Sequence, residues 1–314
     1  MSRIGYFGPQ GTFTEQAARG LVDTSDGSIV DRAGCELIAL DTVPATLAAV
    51  RAGEVDVGCV PVENSVEGAV TATMDALAVG DPLVAVAETV LPVRFTVLVR
   101  PGAGAADIRT VASHPHALAQ VRQWLADHLP DADVLVARST AAAAVGVTKG
   151  EFDAAVTAPV AAERYPLDLY AADVADVEDA ATRFLLVRRP GRLPRPTGAD
   201  RTSLIAVTAD RTGALAEVLV ELAQREINLT RIESRPTKSR LGEYRFFLDL
   251  EGHVAEARVG DALAALRRRC RSVRFLGSYP KAVGGPTAPV AGARDEDFAV
   301  ASEWLRAVRD GERA

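Results

Sequence analysis

Short apolar runs alternate with segments of helical spacing along the first 190 residues, and this alternation is typical of an α/β protein. The runs at residues 3–7, 55–60, 96–99, 109–112 and 181–187 predict buried strands. Polar and small residues follow several of these runs at the point where a helix would begin. We therefore expect parallel strands with helices between them, and ligand chemistry at the carboxyl ends of the strands.

Residues 42–56 and 139–153 share one pattern: a helix, a glycine stop and a strand, with Gly-Glu-x-Asp in register. Helix–Gly–strand is a common sequence, so chance agreement is one explanation. The matched spacing favours two related α/β lobes with a cleft between them. We assign lobe one to residues 1–93 and 166–190 and lobe two to residues 94–165, with the chain returning near residues 165–168.

Residues 191–200 are rich in Pro, Gly and Arg and predict a linker. Residues 201–281 then follow a βαββαβ plan, with strands at 203–208, 228–234, 244–250 and 273–279 and helices at 213–226 and 255–269. This is a ferredoxin-like arrangement, and its edge strands invite pairing with a second copy. The tail, 282–314, is expected to be disordered except for an amphipathic helix, whose apolar stripe would dock onto the body or onto a neighbouring subunit. The stripe comprises Phe298, Ala301, Trp304, Leu305 and Val308.

Composition excludes several classes of protein. The 314 residues carry a net charge of −7, which argues against nonspecific nucleic-acid binding. No apolar run is long enough for a membrane helix. Cys35, Cys59 and Cys270 are few and widely spaced, so we expect reduced thiols without a metal or disulfide framework, and a cytoplasmic protein.

The run at residues 61–68 is the most informative stretch, because Glu63, Asn64 and Ser65 follow a buried strand. A charge, an amide and a hydroxyl at that position are costly to bury without partners. One interpretation is a capped turn, with Asn64 or Ser65 as the N-cap of the next helix and Glu67 completing a capping box. The other is a ligand site, and the residues alone favour neither.

Three further helix starts follow strands. Thr12 with Glu15 predicts a capping box or a binding turn, Ser113 is expected to be an N-cap, and Ser139 with Thr140 opens another helix. With the run at 61–68 they make four expected helix N-termini. Helix N-termini favour anions, so the implied ligand is a small anion such as a carboxylate.

Two charged or titratable side chains have competing interpretations. His114 fits a capping or surface role better than a proton relay. Arg183 follows Thr182 at the start of a strand and could hold a carboxylate. The residues favour the alternative, an ion pair with the acids Asp173, Asp176, Glu178 and Asp179 that precede it.

The motifs together resemble the prephenate dehydratase family over nearly the whole chain. They are GYFGPQGTF at 5–13, PVENSVEG at 61–68, SHP at 113–115 with Gln120, STA at 139–141 and TRF at 182–184. The C-terminal part, 201–281, is similar to an ACT domain through GAL at 213–215 and NLTRIESRP at 228–236. The order of so many motifs makes the resemblance specific.

The resemblance implies two periplasmic-binding-protein-like lobes over 1–190 that convert prephenate to phenylpyruvate with loss of carbon dioxide and water. It implies no metal or redox cofactor, and inhibition by phenylalanine bound where ACT domains pair in a dimer or tetramer. It places the catalytic residues in the motif Thr182, Arg183 and Phe184, with Thr182 as the bond-breaking residue. The implied substrate-binding residues are Thr12, Glu63, Asn64, Ser65, Ser113, Gln120, Ser139 and Thr140, and the implied phenylalanine-binding residues are Gly213, Ala214, Leu215, Asn228, Leu229, Glu233, Ser234, Arg235 and Pro236.

Departures from the family pattern leave alternatives open. His116 stands where many members have Gln, and Ala180-Ala181 precede Thr182 where Asn is frequent. No helical chorismate mutase domain precedes Ile4, so we expect a monofunctional enzyme. The alternatives are an enzyme that prefers arogenate, the transaminated analogue of prephenate, and a non-catalytic amino-acid sensor.

Overall fold

The computed structural model describes residues 2–24, 34–177, 179–238 and 242–311. The chain divides into two compact units, residues 1–76 with 89–188, and residues 77–88 with 189–314. The strands are β1 (Ser2–Phe7), β2 (Cys35–Leu40), β3 (Val57–Asn64), β4 (Gly68–Ala69), β5 (Val84–Pro92), β6 (Thr96–Val99), β7 (Thr110–Ser113), β8 (Asp133–Val136), β9 (Ala154–Thr157), β10 (Asp168–Ala171), β11 (Ala181–Arg188), β12 (Asp200–Val207), β13 (Leu229–Pro236), β14 (Tyr244–Glu251) and β15 (Ser272–Pro280). The helices are α1 (Phe13–Thr24), α2 (Val43–Ala52), α3 (Thr71–Ala78), α4 (Pro115–Gln120), α5 (Arg122–His128), α6 (Thr140–Thr148), α7 (Ala214–Ala223), α8 (Ala257–Arg269) and α9 (Asp295–Asp310).

Two sheets with the same strand order form the lobes of the first unit. The first sheet has the order β2-β1-β3-β11-β5, with β4 attached to β3, and the second has the order β8-β7-β9-β6-β10. In each, three parallel strands are followed by an antiparallel strand, β11 beside β3 and β6 beside β9. The expected two-lobed fold class is confirmed.

The chain returns to the first lobe later than expected. β10, at residues 168–171, pairs with β6 and therefore belongs to the second sheet. The chain rejoins the first sheet only at β11, beside β3. The expected return near residues 165–168 is wrong, because the residues that follow form the short strand β10 of the second sheet and not a segment that crosses to the first lobe.

The duplication extends to individual hydrogen bonds. Thr42 caps α2 by accepting from Ala45 N at 3.1 Å, and Ser139 caps α6 by accepting from Ala142 N at 2.9 Å. Gly53 and Gly150, which follow the two helices, both have φ of 75°, a left-handed conformation that glycine adopts without strain. The lobes are thus copies of one helix–turn–strand unit.

An aspartate joins the ends of neighbouring strands in each lobe. Asp56, before β3, accepts from Arg3 N at 2.7 Å. Its counterpart Asp153, before β9, accepts from the backbone N–H groups of Arg109 and Thr110 at 3.1 and 3.0 Å. The aligned Asp of the two Gly-Glu-x-Asp sequences therefore has a structural role at the amino ends of the parallel strands. This edge of each sheet is opposite to the carboxyl ends, where we expect ligand chemistry.

The second unit contains an antiparallel sheet in the order β13-β14-β12-β15, with α7 and α8 packed against one face. Leu204, Leu222, Leu248 and Leu266 meet in the core between the helices and the sheet. The predicted strands and helices of this βαββαβ domain are confirmed to within three residues at their ends. Because β13 is an edge strand, one side of its backbone is open to pairing.

The tail contains the expected helix. Residues 283–294 have no regular secondary structure, and α9 follows. Trp304 and Val308 of the apolar stripe are 57% and 46% exposed, so this stripe does not pack into a core. Within the described ranges no helix is both long and apolar enough to span a lipid bilayer.

Candidate active site

A pocket of about 210 Å³ receives side chains from both lobes of the first unit. The amino ends of α1, α4 and α6 all contribute to its wall. Its lining residues are Phe7, Gly8, Thr12, Phe13, Thr14, Asn64, Val93, Phe95, His114, His116, Ala117, Gln120, Arg138, Ser139, Thr140 and Thr182. Because unpaired N–H groups and the helix dipole both favour negative charge, this pocket suits a small anion.

Thr182 is held by a hydrogen bond across two strands. Thr182 lies opposite Asn64 in the β11–β3 pair, and the Asn64 Nδ2 donates to Thr182 Oγ1 at 2.8 Å. The Asn64 Oδ1 accepts from the backbone N–H groups of Val66 and Glu67, both at 2.9 Å. These two bonds fix which end of the amide faces Thr182, so Thr182 accepts there and keeps its own proton for another acceptor.

The structure corrects the interpretation of Asn64 as a helix cap. No helix begins after β3; the chain makes a turn, adds the short strand β4, and reaches α3 only at Thr71. Asn64 does cap backbone N–H groups, but those of a hairpin turn. Three of the four expected helix N-termini are therefore present.

A β-bulge lies next to Thr182. The register of β11 against β3 pairs Arg183 with Glu63 but Phe184 with Pro61, so Val62 is skipped. Bulges redirect side chains and are common beside active sites. This bulge changes the strand geometry directly after the Asn64–Thr182 pair.

The neighbours of Thr182 lie outside the pocket lining. Arg183 is buried and its Nη1 lies 3.6 Å from Glu63 Oε2. The expected pairing with the preceding acids stays a prediction, because Glu178 lies outside the described residues. Phe184 is a core side chain, 1% exposed. Ser65 is exposed, and its hydroxyl accepts from Ala181 N at 2.9 Å. These three residues support Thr182 and do not line the pocket.

Ser113 differs from its expected role. It is the last residue of β7, fully buried, and its hydroxyl donates to Val156 O at 2.6 Å. The N-cap of α4 is His114, whose Nδ1 accepts from His116 N at 3.3 Å. The expected capping role of His114 is thus present, and Ser113 joins β7 to β9 instead of facing a ligand.

The histidine pair contributes to the pocket electrostatics. The rings of His114 and His116 meet edge to face with centroids 4.9 Å apart. Burial, and secondarily the repulsion from His116, lowers the pKa of His114 below its ordinary value. Neutral His114 then carries its proton on Nε2, since Nδ1 is an acceptor.

Gln120, at the end of α4, has a buried oxygen without a partner. Its Nε2 donates to His116 O at 3.2 Å, whereas no described residue donates to its Oε1. Gln120 is only 7% exposed. An unpaired buried acceptor is costly, and a ligand hydroxyl would satisfy it.

The loop before α1 connects the lobes. Thr12 Oγ1 accepts from Glu15 N at 3.3 Å, as in the expected capping box. The Glu15 carboxylate accepts from Gly11 N at 2.6 Å, one residue before the Thr12 N–H that a capping box would use. The buried Glu15 carboxylate also pairs with Arg164, and Tyr165 donates to Gln10 O at 2.9 Å. The loop that lines the pocket is therefore held by lobe two.

The sequence did not identify several residues that line the pocket: Phe7, Phe13, Thr14, Phe95 and Arg138. Phe13 and Phe95 pack edge to face with centroids 5.6 Å apart and provide an apolar wall for a ring. Arg138 had one available signal, since it directly precedes the helix cap Ser139.

The candidate effector residues of the second unit form two groups. Gly213 is the N-cap of α7 with φ of 81°, and Ala214 and Leu215 begin that helix. Asn228 directly precedes β13, and Leu229, Glu233, Ser234, Arg235 and Pro236 belong to this edge strand.

Fold and pocket together define a two-lobed α/β protein with a pocket between its lobes that suits a small anion, and with a ferredoxin-like second domain. Residues 4–192 match the family model for prephenate dehydratase, and residues 202–268 match the model for the ACT domain. A prephenate dehydratase of Amycolatopsis methanolica is 64% identical over 315 residues, which cover 100% of both chains.

Solved structures agree with the family models. The crystal structure of prephenate dehydratase from Arthrobacter aurescens in complex with L-Phe is 43% identical, with a TM-score of 0.89, and the match covers 98% of this chain and 99% of that one. GqqA, described as a novel type of quorum quenching acylase, is 31% identical with a TM-score of 0.77, over 88% of this chain and 97% of its own.

The chain belongs to the prephenate dehydratase family. The activity of this family is that of a carbon–oxygen lyase in phenylalanine biosynthesis, and the C-terminal ACT domain is its regulatory part. The recognition made from the motifs is thereby confirmed.

Proposed function

We propose that the pocket between the lobes carries out the decarboxylative dehydration of prephenate, with Thr182 acting on the leaving hydroxyl. The observation that carries this proposal is the hydrogen bond from Asn64 to Thr182 in the pocket wall. Because Asn64 donates, the Thr182 proton is available to a substrate oxygen. A Thr hydroxyl is a very weak acid, so its role is a preorganised hydrogen bond to the departing oxygen.

The chemistry requires orientation more than strong acid or base. The bond to the ring carboxylate breaks, its electrons complete the aromatic ring, and the ring hydroxyl leaves. The products are phenylpyruvate, carbon dioxide and hydroxide, which one proton converts to water. Since aromatisation drives the reaction, holding the ring and stabilising the leaving oxygen suffice.

The positive wall of the pocket suits the two carboxylates of prephenate. The first turns of α1 and α6 offer N–H groups near Thr12 and Thr140, and Arg138 adds a full charge. Phe13 and Phe95 give the ring an apolar surface. In this proposal Ser113 and Phe184 act indirectly, by holding β7 and β11, and Glu63 and Arg183 stabilise the strand pair beneath Thr182.

We further propose that phenylalanine inhibits the enzyme from the ACT domain. The support is the relative from Arthrobacter aurescens, which was solved with L-Phe, together with the turn at Gly213 and the edge strand β13. Inhibition requires two states that bind phenylalanine with different affinity. Isothermal titration of the full-length chain with phenylalanine tests binding, and its absence would remove this part of the proposal.

Self-association and domain boundaries are also proposals. An open edge at β13 favours pairing of two ACT domains into at least a dimer. The exposed stripe of α9 offers a second apolar contact surface. We keep 1–190 as the catalytic part, 191–200 as the linker, 201–281 as the ACT domain and 282–314 as the tail, in a cytoplasmic enzyme of amino-acid synthesis.

One assay separates this function from its alternatives. Phenylpyruvate formed from prephenate is followed by ultraviolet absorbance with and without phenylalanine, and arogenate is tested in parallel. A prephenate dehydratase forms phenylpyruvate and slows when phenylalanine is added. Turnover of arogenate alone would favour arogenate dehydratase, and binding without turnover would favour an amino-acid sensor.

A further inference from the structure

Arg138 is a pocket cation that pairs with no acid among the described residues. It lines the pocket and directly precedes the α6 cap Ser139. Within the part of the chain that the structure describes, it takes part in no ion pair or hydrogen bond. Arg183, by contrast, lies beside Glu63. Arg138 is therefore available to an anionic ligand.

The surroundings of Arg138 are also built for a ligand. Ser139 Oγ accepts a hydrogen bond from Ala142 N. No described residue accepts from the N–H groups of Thr140 and Ala141 in the first turn of α6. Gln120, in the same pocket, keeps its buried Oε1 without a donor. A ligand with a carboxylate and a hydroxyl satisfies both kinds of group, and the prephenate dianion has a single O–H donor, its ring hydroxyl.

The two carboxylates of prephenate have different fates, and this decides which one an arginine should hold. When the ring hydroxyl lies at Thr182, the ring carboxylate and the pyruvyl chain lie on the far side of the ring, because both are bonded to the opposite ring carbon. Both groups therefore point away from Thr182. A tight ion pair with the ring carboxylate would stabilise the ground state and oppose its loss as carbon dioxide. An ion pair with the pyruvyl carboxylate carries no such cost, because the product keeps that group.

We infer that Arg138 binds the pyruvyl carboxylate of the substrate and thereby selects the keto acid over arogenate. This inference rests on the proposed function. The planar guanidinium can donate to the carboxylate and the adjacent keto oxygen together. Arogenate has an ammonium group in place of the keto oxygen, and that cation would face the guanidinium, a repulsion that rejects the wrong substrate.

The test compares Arg138→Gln and Arg138→Lys with Arg122→Gln, a control at an exposed arginine of lobe two outside the pocket lining. Steady-state assays give KM and kcat for prephenate and arogenate, and calorimetry gives the Kd of the product phenylpyruvate. We expect Arg138→Gln to raise the KM for prephenate and the Kd for phenylpyruvate together, by about tenfold, as for loss of one charge-assisted pair. We expect kcat to change by less than about threefold and the preference for prephenate over arogenate to fall by about tenfold.

The remaining arms each decide the inference. Arg138→Lys, which keeps the charge without the planar fork, should fall between wild type and Arg138→Gln, and Arg122→Gln should match wild type. Unchanged KM and Kd in Arg138→Gln would overturn the inference, as would a raised KM with an unchanged phenylpyruvate Kd, which would assign Arg138 to the leaving carboxylate. A wild-type chain without turnover would instead refute the proposed function, and the phenylpyruvate titration would still decide whether Arg138 binds this carboxylate.

Discussion

Replacing Thr182 by Val removes the hydroxyl while keeping the shape of the side chain, and we expect kcat to fall steeply. In the structure Asn64 donates to Thr182 Oγ1 at 2.8 Å, so the Thr182 proton is available to an acceptor in the pocket. Losing one preorganised donor to a developing oxyanion costs about 10²–10³ in rate, or about 2.7–4 kcal/mol. Thr182→Ser, which keeps the hydroxyl, should retain activity within about tenfold of wild type.

The partner Asn64 gives the same reasoning a second test. Asn64→Asp is nearly isosteric and still accepts from the N–H groups of Val66 and Glu67. A carboxylate oxygen cannot donate, so it takes the Thr182 proton and turns it away from the pocket. We therefore expect kcat to fall by about the same 10²–10³ as in Thr182→Val.

Both variants are measured by phenylpyruvate absorbance at saturating prephenate, with the melting temperature as a control for folding. Because Thr182 is half-buried at a strand end, Thr182→Val should melt within a few degrees of wild type. Thr182→Val with more than about a third of the wild-type kcat would refute the role of the hydroxyl, since a lost donor in this position costs about 10²-fold at least.

Three stability predictions follow from the scaffold. Asp153→Ala should lower the free energy of unfolding by about 2–3 kcal/mol and Asp56→Ala by about 1 kcal/mol. The Asp153 carboxylate accepts three hydrogen bonds from Arg109 and Thr110 and pairs with Arg100, whereas the Asp56 carboxylate accepts one from Arg3 N. Burial raises the pKa of Asp153, but the hydrogen bonds from Arg100, Thr110 and Arg109 outweigh this and lower the pKa. Its contribution to stability should therefore be lost as pH falls below about 4, and a pH-independent difference between variant and wild type would contradict this. Burial and the neighbouring His116 lower the pKa of His114, so the folded state binds this proton less readily than the unfolded state. The free energy of unfolding should therefore decline as pH falls below about 6.5. Urea titrations should show a smaller decline in His114→Asn. Gly277→Ala would bring a Cβ within 2.2 Å of Ala85 O at φ of 131° and should prevent the second unit from folding, whereas Gly285→Ala meets nothing within 4 Å and should melt like wild type.

Much of the fold could be predicted because local signals agreed with the tertiary structure. Helix 213–226 and strand 244–250 of the ACT domain differ from the observed elements by at most three residues, since glycines and apolar periodicity marked their ends. The duplication was visible because both lobes need the same cap, glycine stop and aspartate. Even so, the return between lobes was misplaced, because β10 is an edge strand of only four residues, none of them fully buried.

The site was predicted only in part, because facing a pocket is a tertiary property. Thr182 and Asn64 were found as motif residues, but their hydrogen bond joins positions 118 residues apart and has no local signature. Ser113 looked like a cap, although the strand runs one residue further and buries its hydroxyl. Arg138 was missed because its one local signal, its position before the cap Ser139, does not show that it faces a pocket. It becomes part of a site only because the amino ends of α1, α4 and α6 line the same pocket.

Phenylpyruvate formation from prephenate by the purified chain, measured beside its Thr182→Val variant, is the decisive test of the pocket and of Thr182. We expect turnover by the wild-type chain and at least about a hundredfold lower kcat in the variant, at equal thermal stability. Equal turnover by both chains would contradict the assignment of the pocket and of Thr182, and no turnover by either would contradict the proposed reaction itself.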